Sequence, residues 1–327
     1  MSVPGFWLED GLPARALAPL AALYGAGVVL RRGLYQRGWL HRPASPVPVI
    51  VVGNLFVGGT GKTPLVAWLV TQLREYGWHP AIVARGYGGR AGKGPVAVTA
   101  DSDPADSGDE PLLLARRCAV PVFVGSDRPA TVQAAYQAGC DVVVSDDGLQ
   151  HYRMRRDAEI VVLDAHRRLG NRRLLPAGPL REPIGRLAGV DIVAVNGDAV
   201  PEGDCVFHLQ PGAPRAVDGS QRPWPGGEAH AVAGIGHPER FFASLQEVGI
   251  GVAERHVFPD HHAYSSQDLS FADERPIIMT EKDAVKCRDL PQADRLWYLP
   301  VELEPGCELT AAVSGLLTRL HAREGRV

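Results

Sequence analysis

Residues 58–64 read Gly-Gly-Thr-Gly-Lys-Thr-Pro, shortly after the β-branched run Val49-Ile50-Val51-Val52. Glycines at 58, 59 and 61 let successive backbone N–H groups converge on phosphate oxygens, and a helix opening near Lys62 adds partial positive charge there. Lys62 supplies a full positive charge and the Thr63 hydroxyl suits Mg²⁺. Together with Thr60 these residues read as a cradle for nucleotide phosphates. A second group, Asp146-Asp147, ends the run Val142-Val143-Val144-Ser145. A buried strand that ends in an acidic residue is what phosphoryl transfer needs to hold Mg²⁺ opposite a cradle hydroxyl.

Other candidates are less specific taken singly. Arg85 follows the apolar run 80–84 and would share a rim with Lys62. Asp109 lies in Ser107-Gly108-Asp109-Glu110-Pro111, where Ser107 and Glu110 have the spacing of a capping box, and from local pattern alone Asp109 reads first as a cap or surface acid. The stretch 170–183 is extended and cationic, and its arginines suit bidentate contact with phosphate. His261 and His262 follow Asp260 without a matching set of ligands elsewhere, which favours a capped loop or an acid–base role over a metal site. Gly234-Ile235-Gly236 is too short to define a second nucleotide site.

To bring these groups together, the strands that carry them must end on one side of a sheet. Apolar runs at 49–52, 80–84, 121–124, 142–146, 159–164 and 191–196 alternate with helical patterns at 64–76, 112–117 and 130–138. That alternation predicts an α/β fold with a parallel sheet, helices on both faces and ligand loops at the strand C-termini. Residues 88–94 are expected as a surface loop. The Pro- and Gly-rich stretch 213–227 predicts a linker between a phosphate-binding domain at 46–212 and a smaller α/β domain at 228–327.

Residues 1–45 form a separate helical segment. Residues 16–30 carry no charge and are flanked by Trp7, Arg15, Arg31, Arg32, Tyr35, Arg37 and Trp39. The run is shorter than the roughly 20 apolar residues that a membrane span needs. Two readings stand: a helix lying in a membrane interface, or a helix docked on the core. Glu9 and Asp10 precede it in place of a basic leader, so no cleaved signal is expected. The formal net charge of −3 gives no global attraction to nucleic acid, and five cysteines without a C-x-x-C pair argue against a zinc or disulfide framework. They fit a reducing compartment.

Seven blocks in this order resemble the tetraacyldisaccharide 4'-kinase family of lipid A biosynthesis. They are Gly53-Asn54 with Gly58 to Pro64, Arg85-Gly86-Tyr87-Gly88-Gly89, Gly108 to Pro111, Asp146 to His151, Leu174 to Pro183, Ala233 to Gly236, and Thr280 to Asp283. Arg172 and His237 depart from the residues common in the family. The resemblance implies a P-loop kinase domain that uses ATP and Mg²⁺ to phosphorylate the 4'-hydroxyl of an acylated glucosamine disaccharide 1-phosphate. The expected location is the cytoplasmic face of the inner membrane, with the N-terminal helix as a peripheral anchor on the membrane surface. No nucleic-acid partner is expected, and no obligate protein partner is inferred.

The resemblance also distributes roles. Asp109 with His261 takes the proton of the acceptor hydroxyl, and Lys62 neutralises the transferring group. Thr63, Asp146 and Asp147 hold Mg²⁺. Gly58 to Thr63, Gln150, His151 and Glu182 surround the nucleotide, with Arg85, Arg128 and Arg181 as clamps on nucleotide or lipid phosphate. A nucleotide-dependent switch or metal-insertion GTPase shares the Gly-Gly-x-Gly-Lys-Thr loop and is the alternative. Its guanine-selecting Asn-Lys-x-Asp is approached but not met at 196–199 and 280–283.

Overall fold

The structure, a computed structural model, describes residues 4–86, 89 and 94–323. Most of the expected surface loop at 88–94 lies outside those residues. The β-branched runs form β1 (Val49–Gly53), β2 (Pro80–Ala84), β3 (Val96–Val98), β4 (Val122–Val124), β5 (Val142–Asp146), β6 (Ala158–Asp164), β7 (Ile192–Asn196) and β8 (Cys205–Pro211). Then follow β9 (Arg215–Ala216), β10 (Glu228–Ala233), β11 (Gly251–Val257), β12 (Ile277–Thr280), β13 (Leu296–Leu299) and β14 (Val301–Pro305).

Nine strands build one sheet in the order β14-β8-β7-β6-β1-β5-β2-β4-β3. All its pairings are parallel except the two edges, where β3 and β14 run antiparallel to their neighbours. β1 is fully buried because both sheet faces are covered. Ile50 and Val52 enter one core cluster, Val49 and Val51 the other. Each such side chain contributes about 1.5–3 kcal/mol by leaving water. The first cluster lies under α3 (Lys62–Glu75), α5 (Asp109–Cys118) and α9 (Cys307–Arg323), and the second under α6 (Arg128–Gln137) and the segment 169–190.

The second sheet has the order β11-β10-β12-β13-β9 and is covered on one side by α7 (Pro238–Glu247). Its four longer strands are parallel, so their C-terminal ends also share one rim. The chain does not finish in this unit. β14 pairs with β8 and α9 packs on the first core, so residues 301–323 belong with the larger sheet and not with the 228–327 segment drawn from the sequence. The hydrophobic face of α9 fits the larger core, where Leu309, Val313, Leu316, Leu317 and Leu320 are buried.

Ahead of both sheets, α1 (Leu12–Ala16) and α2 (Ala18–Gln36) pack beside the segment 174–181. A Cβ on Gly25 would stand 2.6 Å from the Leu174 side chain, so a small residue permits the close approach. The Tyr24 hydroxyl donates to the Arg181 carbonyl at 3.0 Å, and the Trp7 indole donates to the Pro176 carbonyl at 3.1 Å. The remaining surface of the helix exposes Leu20, Leu23, Val29 and Leu30. Among the described residues no helix is long and apolar enough to cross a membrane.

Candidate active site

The phosphate cradle forms where β1 passes into α3. Gly58 and Gly61 have φ of 111° and 94°, the left-handed region open to glycine, and they turn the chain sharply before Lys62 begins the helix. Thr63 is the second residue of α3. Its neighbour across the sheet is set by register: β5 lies parallel to β1 with Asp146 opposite Val52. Adjacent strands are about 4.8 Å apart, so the cradle and Asp146 meet at one rim.

The two aspartates have different environments. Asp146 is 4 % exposed, and its Oδ1 has no hydrogen-bond partner among the described residues. Burial, with nearby Glu110 and Asp147, pushes its carboxyl up to about 7 despite the opposing charges of Lys62 and Arg128. A buried carboxylate left unsatisfied at a strand end beside a phosphate cradle fits a hard cation such as Mg²⁺. At Asp147 burial acts in the same direction, but Lys62 and Arg181 outweigh it and hold the carboxyl well below the usual range. Both its oxygens accept from Arg181, at 2.9 and 3.0 Å, and Lys62 stands 3.3 Å away. In this state both Asp147 oxygens are therefore bound to cations of the protein.

Four further sequence candidates support the site from behind. Arg128 was expected as a phosphate clamp but is 1 % exposed and donates to the Asp146 backbone carbonyl at 2.9 Å; burial lowers its guanidinium to about 10. Glu182 is fully buried, accepts from Gln150 at 2.9 Å and lies 3.3 Å from Arg186, so its charge is committed within the fold and not aimed at a nucleotide. The Gln150–Glu182 bond ties the loop after β5 to the segment carrying Arg181. His151 is held by the Ser126 carbonyl at 3.1 Å, and burial lowers its pKa. Arg85 is exposed at the C-terminal end of β2, on the cradle's rim.

Asp109 does not cap a helix in the way its neighbours suggest. Ser107 ends the short helix α4 (Pro104–Ser107), where its hydroxyl donates to the Asp103 carbonyl at 2.9 Å. Gly108, at φ 84°, is the N-cap of α5, so the expected Ser107–Glu110 capping box is absent. Asp109 instead lies 3.0 Å from Nδ1 of His261, which comes from the loop after β11. Burial raises the Asp109 carboxyl, but the His261 hydrogen bond and the charges of Lys286 and Lys282 leave it lowered overall. The carboxylate stays ionised and can accept a proton only in passing, as a general base does.

Geometry separates the two histidines. His262 stacks on Phe258 with ring centroids 4.7 Å apart and faces Asp268 at 3.4 Å. His261 has φ of 63°, turns toward Asp109, and lies 3.4 Å from Lys282 through its other ring nitrogen. Gly234 serves packing: a Cβ there would meet the Tyr264 hydroxyl at 2.6 Å and Asp283 at 2.9 Å. Asp283 accepts its backbone N–H at 2.9 Å, which ties together the ends of β10 and β12.

Several site residues are missed by sequence reasoning. Asn54, fully buried, accepts from Lys62 at 3.0 Å and from Arg181, linking cradle lysine and arginine. Arg167 donates to the Gly59 carbonyl, and Asp164 beside it receives Arg240 of α7 at 3.0 Å, bridging the two sheets. Lys286 stands 3.7 Å from Asp109. Asn54 stands in the first motif block and Lys286 four residues after Lys282, without a role legible for either; Arg167, Asp164 and Arg240 depend on contacts between distant segments.

A family model described as Tetraacyldisaccharide-1-P 4'-kinase matches residues 13–320. The chain is 56 % identical to a tetraacyldisaccharide 4'-kinase of Alkalilimnicola ehrlichii, over 99 % of each chain. It is 50 % identical to another of Azoarcus sp., over 98 % of this chain and 96 % of the relative. Its fold is similar to a crystal structure of LpxK from Aquifex aeolicus in complex with ATP, with a TM-score of 0.81 and 30 % identity. That match covers 94 % of this chain and 99 % of the other.

Proposed function

The chain belongs to the tetraacyldisaccharide-1-P 4'-kinase family and is an ATP-dependent kinase of lipid A biosynthesis; on that premise we propose how its own residues divide the reaction. The loop Gly58 to Thr63 binds the ATP phosphates, and Lys62 leaves Asn54 and Asp147 to neutralise charge on the transferring group. Thr63 and the unsatisfied oxygen of Asp146 hold Mg²⁺, which when bound screens the phosphate charge and orients the γ-phosphoryl group. Arg181, released with Lys62, and Arg85 are available to nucleotide or lipid phosphate.

Asp109 accepts the proton of the 4'-hydroxyl through the oxygen not bonded to His261. His261 fixes the direction of the carboxylate, while Lys286 and Lys282 keep it ionised. The observation that carries this reading is the Asp109–His261 contact of 3.0 Å at the opening of α5. The next residue on α5, Glu110, is among the charges that raise the Asp146 carboxyl, which supports placing this base near the metal carboxylate.

The acceptor is a lipid, and the exposed face of α2 fits a membrane surface. Leu20, Leu23 and Leu30 lie on one exposed apolar side with Arg31 and Arg32 following, an arrangement suited to acyl chains below and anionic headgroups above. Because Tyr24 is bonded to the Arg181 carbonyl, the anchor is joined to the site by one residue. The family's lipid substrate, together with this face, supports a location at the cytoplasmic face of the inner membrane.

Transfer of labelled γ-phosphate from ATP to detergent-solubilised tetraacyldisaccharide 1-phosphate tests the assignment. Wild type is expected to label the lipid, and Lys62→Ala and Asp109→Asn to abolish labelling. Hydrolysis of ATP without lipid labelling by the wild type would sink this reading and favour a nucleotide switch.

A further inference from the structure

On the smaller sheet, His230, Glu254 and His256 converge from two strands. β11 is the edge strand, paired in parallel with β10 so that His230 faces Glu254 and Val232 faces His256. Side chains two residues apart on a strand share a face, which puts Glu254 and His256 on the side of His230. His230 Nδ1 and His256 Nε2 stand 3.1 Å apart. A Glu254 oxygen lies 3.9 Å from the first and 3.7 Å from the second.

We infer that these three residues are a binding site for a divalent transition-metal ion of the zinc type, separate from the phosphate cradle. The point equidistant from the three atoms lies about 2.1 Å from each, the length of Zn–N and Zn–O bonds. His230 Nδ1 and His256 Nε2 are hydrogen-bonded to one another, with His256 as the donor, so the ion takes the place of that proton, which leaves to solvent. Two imidazoles and one carboxylate leave a fourth position for water and favour zinc over Mg²⁺, which selects oxygen ligands.

The surroundings supply what a metal-bound histidine requires. His230 Nε2 is 3.0 Å from Asp273 Oδ1; a carboxylate only accepts, so Nε2 carries the proton and Nδ1 presents its lone pair to the site. Asp273 is in turn held by Arg275, through the backbone N–H at 3.0 Å and the guanidinium at 2.7 Å. Both imidazoles stack on Phe271, with centroids 4.2 and 4.1 Å away, giving the site an apolar floor. His230 is 4 % exposed, whereas the Glu254 side chain is 65 % exposed and marks the entry side. A bound ion would fasten the edge strand β11 to β10, five residues before His261.

The test uses the full chain without a polyhistidine tag, stripped by chelator and titrated calorimetrically with Zn²⁺ in the presence of millimolar Mg²⁺. One Zn²⁺ per chain is expected. Glu254→Gln is expected to weaken binding by at least about 10-fold and His256→Gln by about 100-fold. Co²⁺ in place of Zn²⁺ should give the intense visible bands of a four-coordinate nitrogen-containing site, lost in both variants. Glu254 is exposed, so its variant retains the fold and remains informative if His256→Gln does not. Absence of stoichiometric uptake by the wild type, or uptake unchanged in Glu254→Gln and in folded His256→Gln, overturns the site.

Discussion

Asp109 and His261 act as one unit if the proposed chemistry is right, and a double-mutant cycle measures whether they do. Asp109→Asn keeps the shape and the hydrogen-bond reach but removes the charge, so no proton can be accepted. A positioned general base is worth about 10² to 10⁴ in rate, or about 2.7–5.5 kcal/mol of barrier. His261→Ala leaves the carboxylate in place but removes its 3.0 Å partner, leaving Lys286 at 3.7 Å as the nearest cation. That lysine also pairs with Asp283 at 3.0 Å and draws Asp109 away from the acceptor. The His261 variant should therefore lose most of the same factor, and the double variant little more than the larger single loss. If each single substitution costs about 10³, independent action would give about 10⁶ in the double variant, against about 10³ for a unit. Initial rates of lipid phosphorylation at saturating MgATP give kcat for the four proteins, and the KM for ATP should stay within a few-fold. A multiplicative loss, or an Asp109→Asn enzyme retaining more than about a tenth of wild-type kcat, refutes the pairing.

Three other outcomes follow from the same geometry. Because the Asp146 carboxyl is raised to about 7, protons compete with Mg²⁺, and the Mg²⁺ concentration for half-maximal activity should rise as pH falls from 8 to 6, after allowance for ATP's own protonation. Glu110→Gln should shift that dependence to lower pH; an unchanged profile counts against their interaction. The sign for stability is opposite: the folded state holds this proton more tightly than the unfolded chain, so ionisation of Asp146 costs stability as pH rises through the interval from about 4 to 7. Replacing buried Arg128 with Met removes a charged donor from the Asp146 carbonyl, with an expected loss of about 1.5–3 kcal/mol in urea unfolding and weaker Mg²⁺ dependence. Unchanged unfolding and unchanged Mg²⁺ response would contradict the supporting role. Finally, Leu23→Glu with Leu30→Glu should reduce co-sedimentation with anionic vesicles at least about 10-fold and leave kcat on detergent-solubilised substrate unaltered; equal vesicle binding would remove α2 as the anchor.

The parts of this protein legible in its sequence are those encoded by neighbours along the chain. The cradle at 58–63 is fixed by glycine spacing and a helix start, and β1, β2, β5, β6 and β7 are continuous apolar runs because both faces of their sheet are buried. Asp146 is legible for the same reason: it closes such a run. β11 carries no such signal, since its Gly-Val-Ala-Glu-Arg-His-Val sequence lies at an exposed edge where no hydrophobic pattern is demanded.

The tertiary structure decides what the charges do. Three arginine and acid candidates that look alike in sequence separate once packing is known: Arg181 stays at the cradle, Arg128 lies behind Asp146, and Glu182 is spent on Gln150 and Arg186. The choice of His261 over His262, the return of β14 and α9 to the first sheet, and the meeting of His230 with His256 likewise depend on contacts between distant segments. Local sequence specifies backbone conformation and which side of a strand is buried. Which charge meets which is set only when separate strands and loops pack together, because electrostatic partners are chosen by distance in space.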